Sequence, residues 1–287
     1  MSEQTPAQGA GWFAGLDPED ADAAAESVRE GRSEEPADWP ARAVNAGFAE
    51  SEEEYYETLH EATVAATRRA VRERERADDR QVIHAVRAMD DLASTTNELA
   101  ERHAEWAGAV FDDAGTGVGY ARDVADRVPE TDAEERVVSL ARRVVSLADE
   151  RDAEREFLDR QVPAVAPNLA SMAGPVLAAR LIELAGGLED LAKMPSGTVQ
   201  VLGAEDALFA HLRGNAPSPK HGVIYTHEYV RGTHPDERGS AARALAGKLT
   251  IAARIDHYSG DYRPELEAEL DERIATIRER HEGGDGE

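Results

Sequence analysis

The architecture of this chain is set by residues 163–258, which begin PAVAPNLASMAGPVLAARLIELAGGLEDLAKMPSGTVQVLGAEDALFAHLRGNAPSPKHG. Residues 165–262 hold ten acidic and nine basic side chains, whereas the whole chain of 287 residues carries a net charge of −26. The three lysines of the chain, Lys193, Lys220 and Lys248, all lie there. We therefore expect a partner that repels carboxylates to bind at this near-neutral segment.

The acidity of the remaining chain reflects the salt concentration of its solvent more than the charge of its binding partner. A net charge of −26 would ordinarily argue against nucleic acid, because nucleic-acid binders present a basic face. Lysine is nearly absent, however, and acidic residues are spread along the chain outside the near-neutral segment. This pattern is typical of a protein that works in multimolar salt, where at about 1 M the screening length is only about 3 Å. An acidic tail that mimics a negatively charged partner is the alternative interpretation.

The composition predicts a soluble, cytoplasmic protein. The chain has no cysteine, which excludes disulfides and thiolate metal sites and fits a reducing compartment. No apolar run approaches the roughly 18 residues that span a bilayer, and the N-terminal MSEQTPAQGAGWF lacks the features of a secretion signal. The length indicates two or three domains, because one core rarely grows past about 250 residues.

The first part of the chain, residues 1–78, is expected to form a small α+β domain. The segment GAGWFAGL at residues 9–16 could hold a strand, and Asp17 or Asp20 could cap a short helix after it. Ser51 begins a capping box that opens a longer helix. The dense mixture of opposite charges over residues 68–80 indicates a solvated face of that helix.

Residues 79–162 have the apolar spacing of a coiled coil. Apolar and small residues recur at alternating intervals of four and three from Val82 onward, and a second helix begins near Thr131. Glycines at 115, 117 and 119 separate the two helices, so the pattern predicts an antiparallel pair that forms a protruding arm. His103 in this seam is interpreted as a packing residue. The predicted seam contains Val82, Val86, Met89, Val137, Leu140, Val144 and Leu147.

Residues 163–262 are expected to form an all-α domain, followed by an acidic helix and tail over residues 263–287. Prolines at 163, 167, 175 and 195 divide the domain into short helices. The helix from Pro175 to about Gly186 is apolar nearly all round and is therefore expected to be buried. Another helix opens after Gly203, and a last one covers residues 239–258.

Short segments of this domain resemble the signature of the Nop domain. They include APNL at 166–169, TVQ at 198–200, LGAE at 202–205, ALF at 207–209, PKHG at 219–222 and AARID at 252–256. The chain is similar to the archaeal Nop56/Nop58-like scaffold proteins of box C/D guide ribonucleoproteins. A weaker resemblance extends over the predicted arm, and a faint one links residues 1–78 to a shortened fibrillarin-binding domain.

This resemblance implies an assembly protein without catalytic residues, cofactor or metal ion. The Nop domain is expected to bind a kink-turn guide RNA together with a small ribosomal-type kink-turn-binding protein. The arm is expected to pair two copies of the chain. The N-terminal domain is expected to hold fibrillarin, the methyltransferase that would carry out guided 2′-O-methylation.

The candidate contacts follow from this resemblance and from the chemistry of phosphate binding. Phosphate is bound by arginine, lysine, backbone amides and helix N-termini, which concentrate here at residues 203–222 and 243–254. Asp206 stands where the family usually has a basic residue, so we do not expect it to contact phosphate. The candidate RNA- or partner-binding residues are Gly203, Ala204, Glu205, Arg213, Asn215, Lys220, His221, Arg243, Lys248 and Arg254.

Two other functions stay open at this point. Four histidines and Glu228 could build a metal-dependent hydrolase site, although the spacing of His211, His221, His227 and His234 matches no ligand motif. A helical scaffold that binds only protein is the second alternative, because the near-neutral segment could contact the kink-turn-binding protein and leave RNA alone.

Overall fold

The computed structural model describes residues 11–18, 20–31 and 35–282, with side chains up to residue 279. Over these residues the chain contains α-helices, turns and one 3-10 helix, and it has no β-strand. This confirms the predominantly α class. The helices belong to two compact units, one ending at Ala77 and one beginning at Asp78. No helix in the described part of the chain is long and apolar enough to cross a membrane.

The N-terminal unit is built from three helices, α1 (Ala21–Glu30), α2 (Trp39–Asn45) and α3 (Glu52–Glu75). Asp20 caps α1 by accepting a hydrogen bond from the Ala23 amide at 3.0 Å. Ser51 caps α3 in the same way, with its Oγ 3.1 Å from the Glu54 amide. Both caps satisfy a backbone donor that has no partner inside its helix, which explains why the helices begin there.

The strand predicted at residues 9–16 is not formed in the part that the structure describes. Gly11 and Gly15 have φ angles of 80° and 76°, which lie in the left-handed region that strands do not use. The resulting turn directs Phe13 into a small aromatic core with Phe48 and Tyr55. The structure therefore does not confirm the α+β class of this unit; residues 9 and 10 lie outside the described residues.

The arm consists of two long helices, α4 (Asp78–Val110) and α6 (Asp132–Val165), which pack along each other. Val82 near the start of α4 shares a core with Leu158 and Val162 near the end of α6. Ala107 near the end of α4 instead packs with Val137 near the start of α6. These contacts make the pair antiparallel.

The connection between the arm helices contains a helix that the sequence analysis missed. This helix, α5 (Gly117–Ala125), contacts both α4 and α6 and buries Tyr120 and Val124 against them. Glycines 115, 117 and 119 were interpreted only as breakers, although Gly117, with φ of 71°, begins the helix. His103 is completely buried beside Tyr120, at 5.7 Å between ring centroids.

The predicted seam residues lie in two separate parts of the arm. Val82, Val86 and Met89 are buried at the base of the arm, within the large core of the C-terminal unit. Val137 and Val144 are buried in the smaller core near the tip. The remaining two, Leu140 and Leu147, are half-buried.

The rest of the C-terminal unit consists of short helices around one long helix. They are α7 (Pro167–Ala173), α8 (Pro175–Ala185), α9 (Leu188–Lys193), α10 (Ser196–Val201), α11 (Glu205–Leu212), a 3-10 helix (Val223–Thr226), α12 (Glu228–Arg231), α13 (Arg238–Tyr258) and α14 (Glu265–Glu282). α13 packs against α7, α9, α10, α12 and α14. α8 buries five of its residues, among them Leu177, Leu181 and Ile182, as its apolar sequence predicts.

Two boundaries differ from the sequence prediction. Pro163 lies inside α6, which continues to Val165; the proline is so close to the end of the helix that few backbone hydrogen bonds depend on its missing N–H. α14 begins after residue 262 but belongs to the core, because its apolar residues recur every three or four positions. Leu266, Leu270, Ile274 and Ile277 are all buried there.

Candidate nucleic-acid interface

Two glycine-containing segments that lie about 20 residues apart in sequence run side by side. The Gly222 amide donates to the Gln200 carbonyl at 2.9 Å, and the Val223 amide donates to the Leu202 carbonyl at 2.7 Å. The Gln200 side chain adds a bond to the Lys220 carbonyl at 2.7 Å. These bonds hold the end of the 213–222 loop against the segment that leads into α11.

This close approach requires glycine at position 222. A Cβ atom on Gly222 would lie 2.0 Å from the Leu202 carbonyl oxygen, far inside van der Waals contact. Gly203 on the opposite segment has φ of 81°, and a Cβ there would lie 3.2 Å from Leu184 and 3.3 Å from Val223. The two glycines therefore set the distance between the segments.

The entry to α11 uses its own polar groups. Ala204 is the N-cap residue and provides no side-chain cap. The Gly203 amide donates instead to Glu205 Oε1 at 2.8 Å. The Glu205 carboxylate thus stabilises the turn that precedes the helix, which limits its availability to a partner.

His221 is held in a stack of planar groups. Its ring lies 4.6 Å from the Tyr225 ring at an interplanar angle of 23°, and the Arg238 guanidinium lies 5.5 Å from the centroid of the same Tyr225 ring. Burial, followed by the charge of Arg238, lowers the pKa of His221 below its usual value. The imidazole is therefore neutral near pH 7 and offers stacking and a hydrogen bond rather than charge.

Arg238 is a member of this surface that the sequence analysis missed. It is the first residue of α13, and its Nε donates to the Thr233 carbonyl at 3.1 Å. The chain between Tyr225 and Arg238 folds back through α12, which brings the two residues together. Tyr225 and Arg238 lie on different helices, so no helical periodicity in the sequence could have predicted that they meet.

Three exposed cations, Arg213, Lys220 and Arg243, lie on the segments that carry or adjoin the stack. The Lys220 side chain passes Gly239, where a Cβ would lie 3.7 Å from its Cδ. Arg213, Asn215 and Arg243 are exposed as well. Among the described residues, none of the three basic side chains forms an ion pair with a carboxylate, so their charges are available to an anionic partner.

The other two basic candidates on α13 have partners within the chain. Lys248 pairs with Glu269 of α14. Arg254 donates from Nε to the Ala192 carbonyl at 3.1 Å, at the end of α9. Lys248 follows Arg243 by five residues, which places it well over a quarter turn round the helix. Lys248 therefore lies on a different side of α13 from Arg243, whereas Arg254 lies on the same side as Arg243, about 16 Å farther along the helix.

α11 presents apolar side chains next to this surface. None of its residues is buried, and Phe209 and Leu212 are 56% and 71% exposed. Leu184 at the end of α8 adds a further exposed side chain. Exposed leucine and phenylalanine at one place are typical of a protein-binding site.

Two of the resembling motifs meet in the interior. The buried Asp256 carboxylate accepts hydrogen bonds from the backbone amides of Asn168 and Leu169 at 3.0 and 2.9 Å, and from Asn168 Nδ2 at 2.6 Å. Burial raises the pKa of Asp256, while these donors oppose the shift. The APNL and AARID motifs thus join α7 to α13, and their polar residues have a structural role.

The histidines of the metal-site alternative have separate partners. His227 lies against the Met172 carbonyl at 3.0 Å through Nε2, and its Nδ1 accepts from the Tyr229 amide at 3.1 Å. His211 contacts the Ala216 carbonyl at 3.0 Å. Over the described residues, no three histidine or carboxylate side chains come together as metal ligands.

Comparisons with known proteins agree with this architecture. A family model described as "Nop: snoRNA binding domain, fibrillarin" matches residues 78–276. An uncharacterised NOP5 family protein of Methanocaldococcus jannaschii is 34% identical over 273 residues, which cover 82% of this chain and 66% of that protein. Nucleolar protein 56 of Saccharomyces cerevisiae is 39% identical over 175 residues, or 60% of this chain and 32% of that protein.

A solved structure is similar over most of the chain. The crystal structure of a fibrillarin/Nop5p complex contains a chain with 25% identity and a TM-score of 0.52, and the match covers 89% of this chain and 92% of that one. The chain spans about two thirds of the archaeal relative and about a third of the yeast relative.

Proposed function

The chain belongs to the Nop family, and we propose that it is the scaffold subunit of a box C/D guide ribonucleoprotein. In this role the Nop domain, residues 163–262, binds a kink-turn RNA that already carries a small ribosomal-type kink-turn-binding protein. The chain performs no catalysis. The methyl transfer to the 2′-oxygen belongs to fibrillarin, which forms a complex with Nop5p in the similar crystal structure.

One observation supports the RNA contact above all others. The Gly203 and Gly222 segments are hydrogen-bonded together, and beside them stand Lys220, the His221 stack and Arg238. Arginine and lysine bind phosphate, and neutral aromatic rings bind unstacked bases. The arrangement fits RNA that is recognised by shape and stacking as well as by charge, which suits binding in strong salt.

A second observation supports simultaneous contact with a protein. Phe209 and Leu212 of α11 are exposed directly after the segment that carries Gly203. We propose that the kink-turn-binding protein covers these side chains while the RNA contacts Lys220 and His221. A scaffold that binds only protein is the alternative, and variants of Lys220 and His221 separate the two.

The remaining parts of the chain are assigned by the same proposal. The arm over residues 79–162 pairs two copies of the chain. The N-terminal unit, residues 1–78, holds fibrillarin near the duplex of guide and target RNA. The complex works in the cytoplasm, at the high salt concentration that the acidic composition indicates.

The first experiment is a gel shift with a box C/D RNA over a KCl series, with and without the kink-turn-binding protein. We expect a supershift only when that protein is bound to the RNA. The absence of a supershift at every KCl concentration would refute the scaffold proposal.

Two double variants then test the assigned surface. The variant Lys220→Ala with His221→Ala should weaken the supershift at least about tenfold, since it removes a phosphate contact and a stacking ring. The matched control, Lys193→Ala with His60→Ala, changes the same residue types at exposed positions elsewhere. Equal binding by both double variants would show that this surface contacts the kink-turn-binding protein and does not contact the RNA.

A further inference from the structure

The segment from residue 68 to residue 76 is unusually basic for this chain. It contains five arginines and two glutamates, a net charge of +3, in a sequence whose total is −26. The sequence alone indicated a mixture of charges on a solvated helix face. The structure sorts this mixture into two groups at the end of α3.

The first group holds α1 against α3. Arg69 pairs with Asp22 at 2.5 Å and with Glu26 at 3.4 Å. Arg29 of α1 pairs with Glu73 at 2.9 Å. One arginine and one glutamate of α3 are therefore used within the N-terminal unit.

The second group is a row of three arginines. Arg68, Arg72 and Arg76 follow one another at intervals of four residues, which places them on one side of the helix about 6 Å apart along its axis. Arg76 directly follows α3 and keeps a helical backbone, with φ −85° and ψ −8°. All three are exposed, and over the described residues none of them pairs with a carboxylate. We call these three residues the arginine row.

We propose that the arginine row binds phosphates of the RNA backbone. Like charges four residues apart on a helix repel each other, and an anion that lies across the row would remove this repulsion. A guanidinium group binds phosphate through paired hydrogen bonds, which makes arginine better suited than lysine to this contact.

The end of a helix by itself also favours cations, because the helix dipole is negative there. That effect acts within the last turn and explains Arg72 and Arg76 at most. Arg68 lies two turns before the end of α3, and the dipole gives no reason for its position. The helix dipole therefore does not account for the whole arginine row, whereas phosphate binding gives all three arginines a role.

This inference rests on the proposed function, because it adds a second RNA contact to the same complex. Its test uses the full chain with the kink-turn-binding protein and box C/D RNA, in binding titrations over a KCl series. The row variant is Arg68→Gln, Arg72→Gln and Arg76→Gln, which removes charge and keeps helix propensity. The matched control changes three exposed arginines of the C-terminal unit: Arg136, Arg143 and Arg273 to glutamine.

The row variant should bind with a shallower dependence on salt. Each lost phosphate contact reduces the slope of log K against log salt by about 0.7 to 0.9, so three contacts reduce it by about 2 to 3. The control should keep the wild-type slope. Equal slopes for the row variant and wild type, or equal losses for both triple variants, would overturn the inference while the proposed function stands.

Two further measurements distinguish a failure of this inference from a failure of the proposed function and from a folding defect. If the wild type formed no ternary complex, the proposed function would fail first. A row variant with lowered helix content by circular dichroism would be replaced by the three single variants, each expected to lower the slope by about 0.7 to 0.9. Three single variants with the wild-type slope would overturn the inference.

Discussion

Replacing Asn168 with alanine should destabilise the C-terminal unit far more than the same replacement of an exposed asparagine. The side chain donates to the Asp256 carboxylate at 2.6 Å and to the Asp261 carbonyl at 2.8 Å, and it accepts from the Arg263 amide at 2.8 Å. A hydrogen bond to a charged group contributes about 1.5 to 3 kcal/mol, and each neutral one about 1 kcal/mol. Because Asp261 and Arg263 are exposed and can bond to water instead, we expect a loss of about 3 kcal/mol in the free energy of unfolding.

The measurement is unfolding of the full chain in KCl, by urea and by heat, followed by circular dichroism. For a unit of this size, a loss of about 3 kcal/mol lowers Tm by roughly 6 to 12 °C. The control is Asn215→Ala, an exposed asparagine that should change stability by less than about 0.5 kcal/mol. If Asn168→Ala lost less than about 1 kcal/mol and yet abolished RNA binding, Asn168 would contact the partner, and its structural role would be wrong.

Three further outcomes follow from buried or crowded groups. Gly222→Ala should abolish the ternary gel shift, because its Cβ would force the loop away from the Leu202 carbonyl; wild-type affinity would contradict the close approach. Burial lowers the pKa of His227, so between that value and the ordinary pKa of about 6.5 only the unfolded chain takes up the proton. Stability should therefore fall as the pH drops below about 6.5, and in a urea series at several pH values His227→Gln should show a smaller fall than wild type. His103→Leu should raise the stability of the arm by about 1 kcal/mol, because both ring nitrogens of His103 are buried and have no hydrogen-bond partner among the described residues; a lower Tm would show that the imidazole stabilises the arm.

The candidate surface could be predicted only in part. Gly203, Lys220 and His221 were found because their motifs are contiguous in the chain and resemble a known family. Arg238 was missed, and Lys248 was included although it pairs with Glu269. Both differences arise from contacts between distant segments, which neither helical periodicity nor local composition encodes.

The sequence also left the function of charged and polar motifs undecided. The APNL and AARID motifs could have been part of a binding surface, and the structure places them at a buried junction between α7 and α13. The basic run at 68–76 could have been an ordinary solvated face. In the structure, Arg69 and Glu73 pair with α1, and this pairing distinguishes them from the three exposed arginines of the arginine row.

By itself the sequence determined the helical class, the long arm helices, the start of the second one near Thr131, the buried α8 and the cap at Ser51. These features depend on spacing and capping within one segment, which the chain carries wherever it folds. The tertiary structure alone decided that α5 packs on the arm, that α14 completes the core, and that the Gly203 and Gly222 segments meet. These features depend on which surfaces of distant segments bury each other, and that is a property of the whole packed chain.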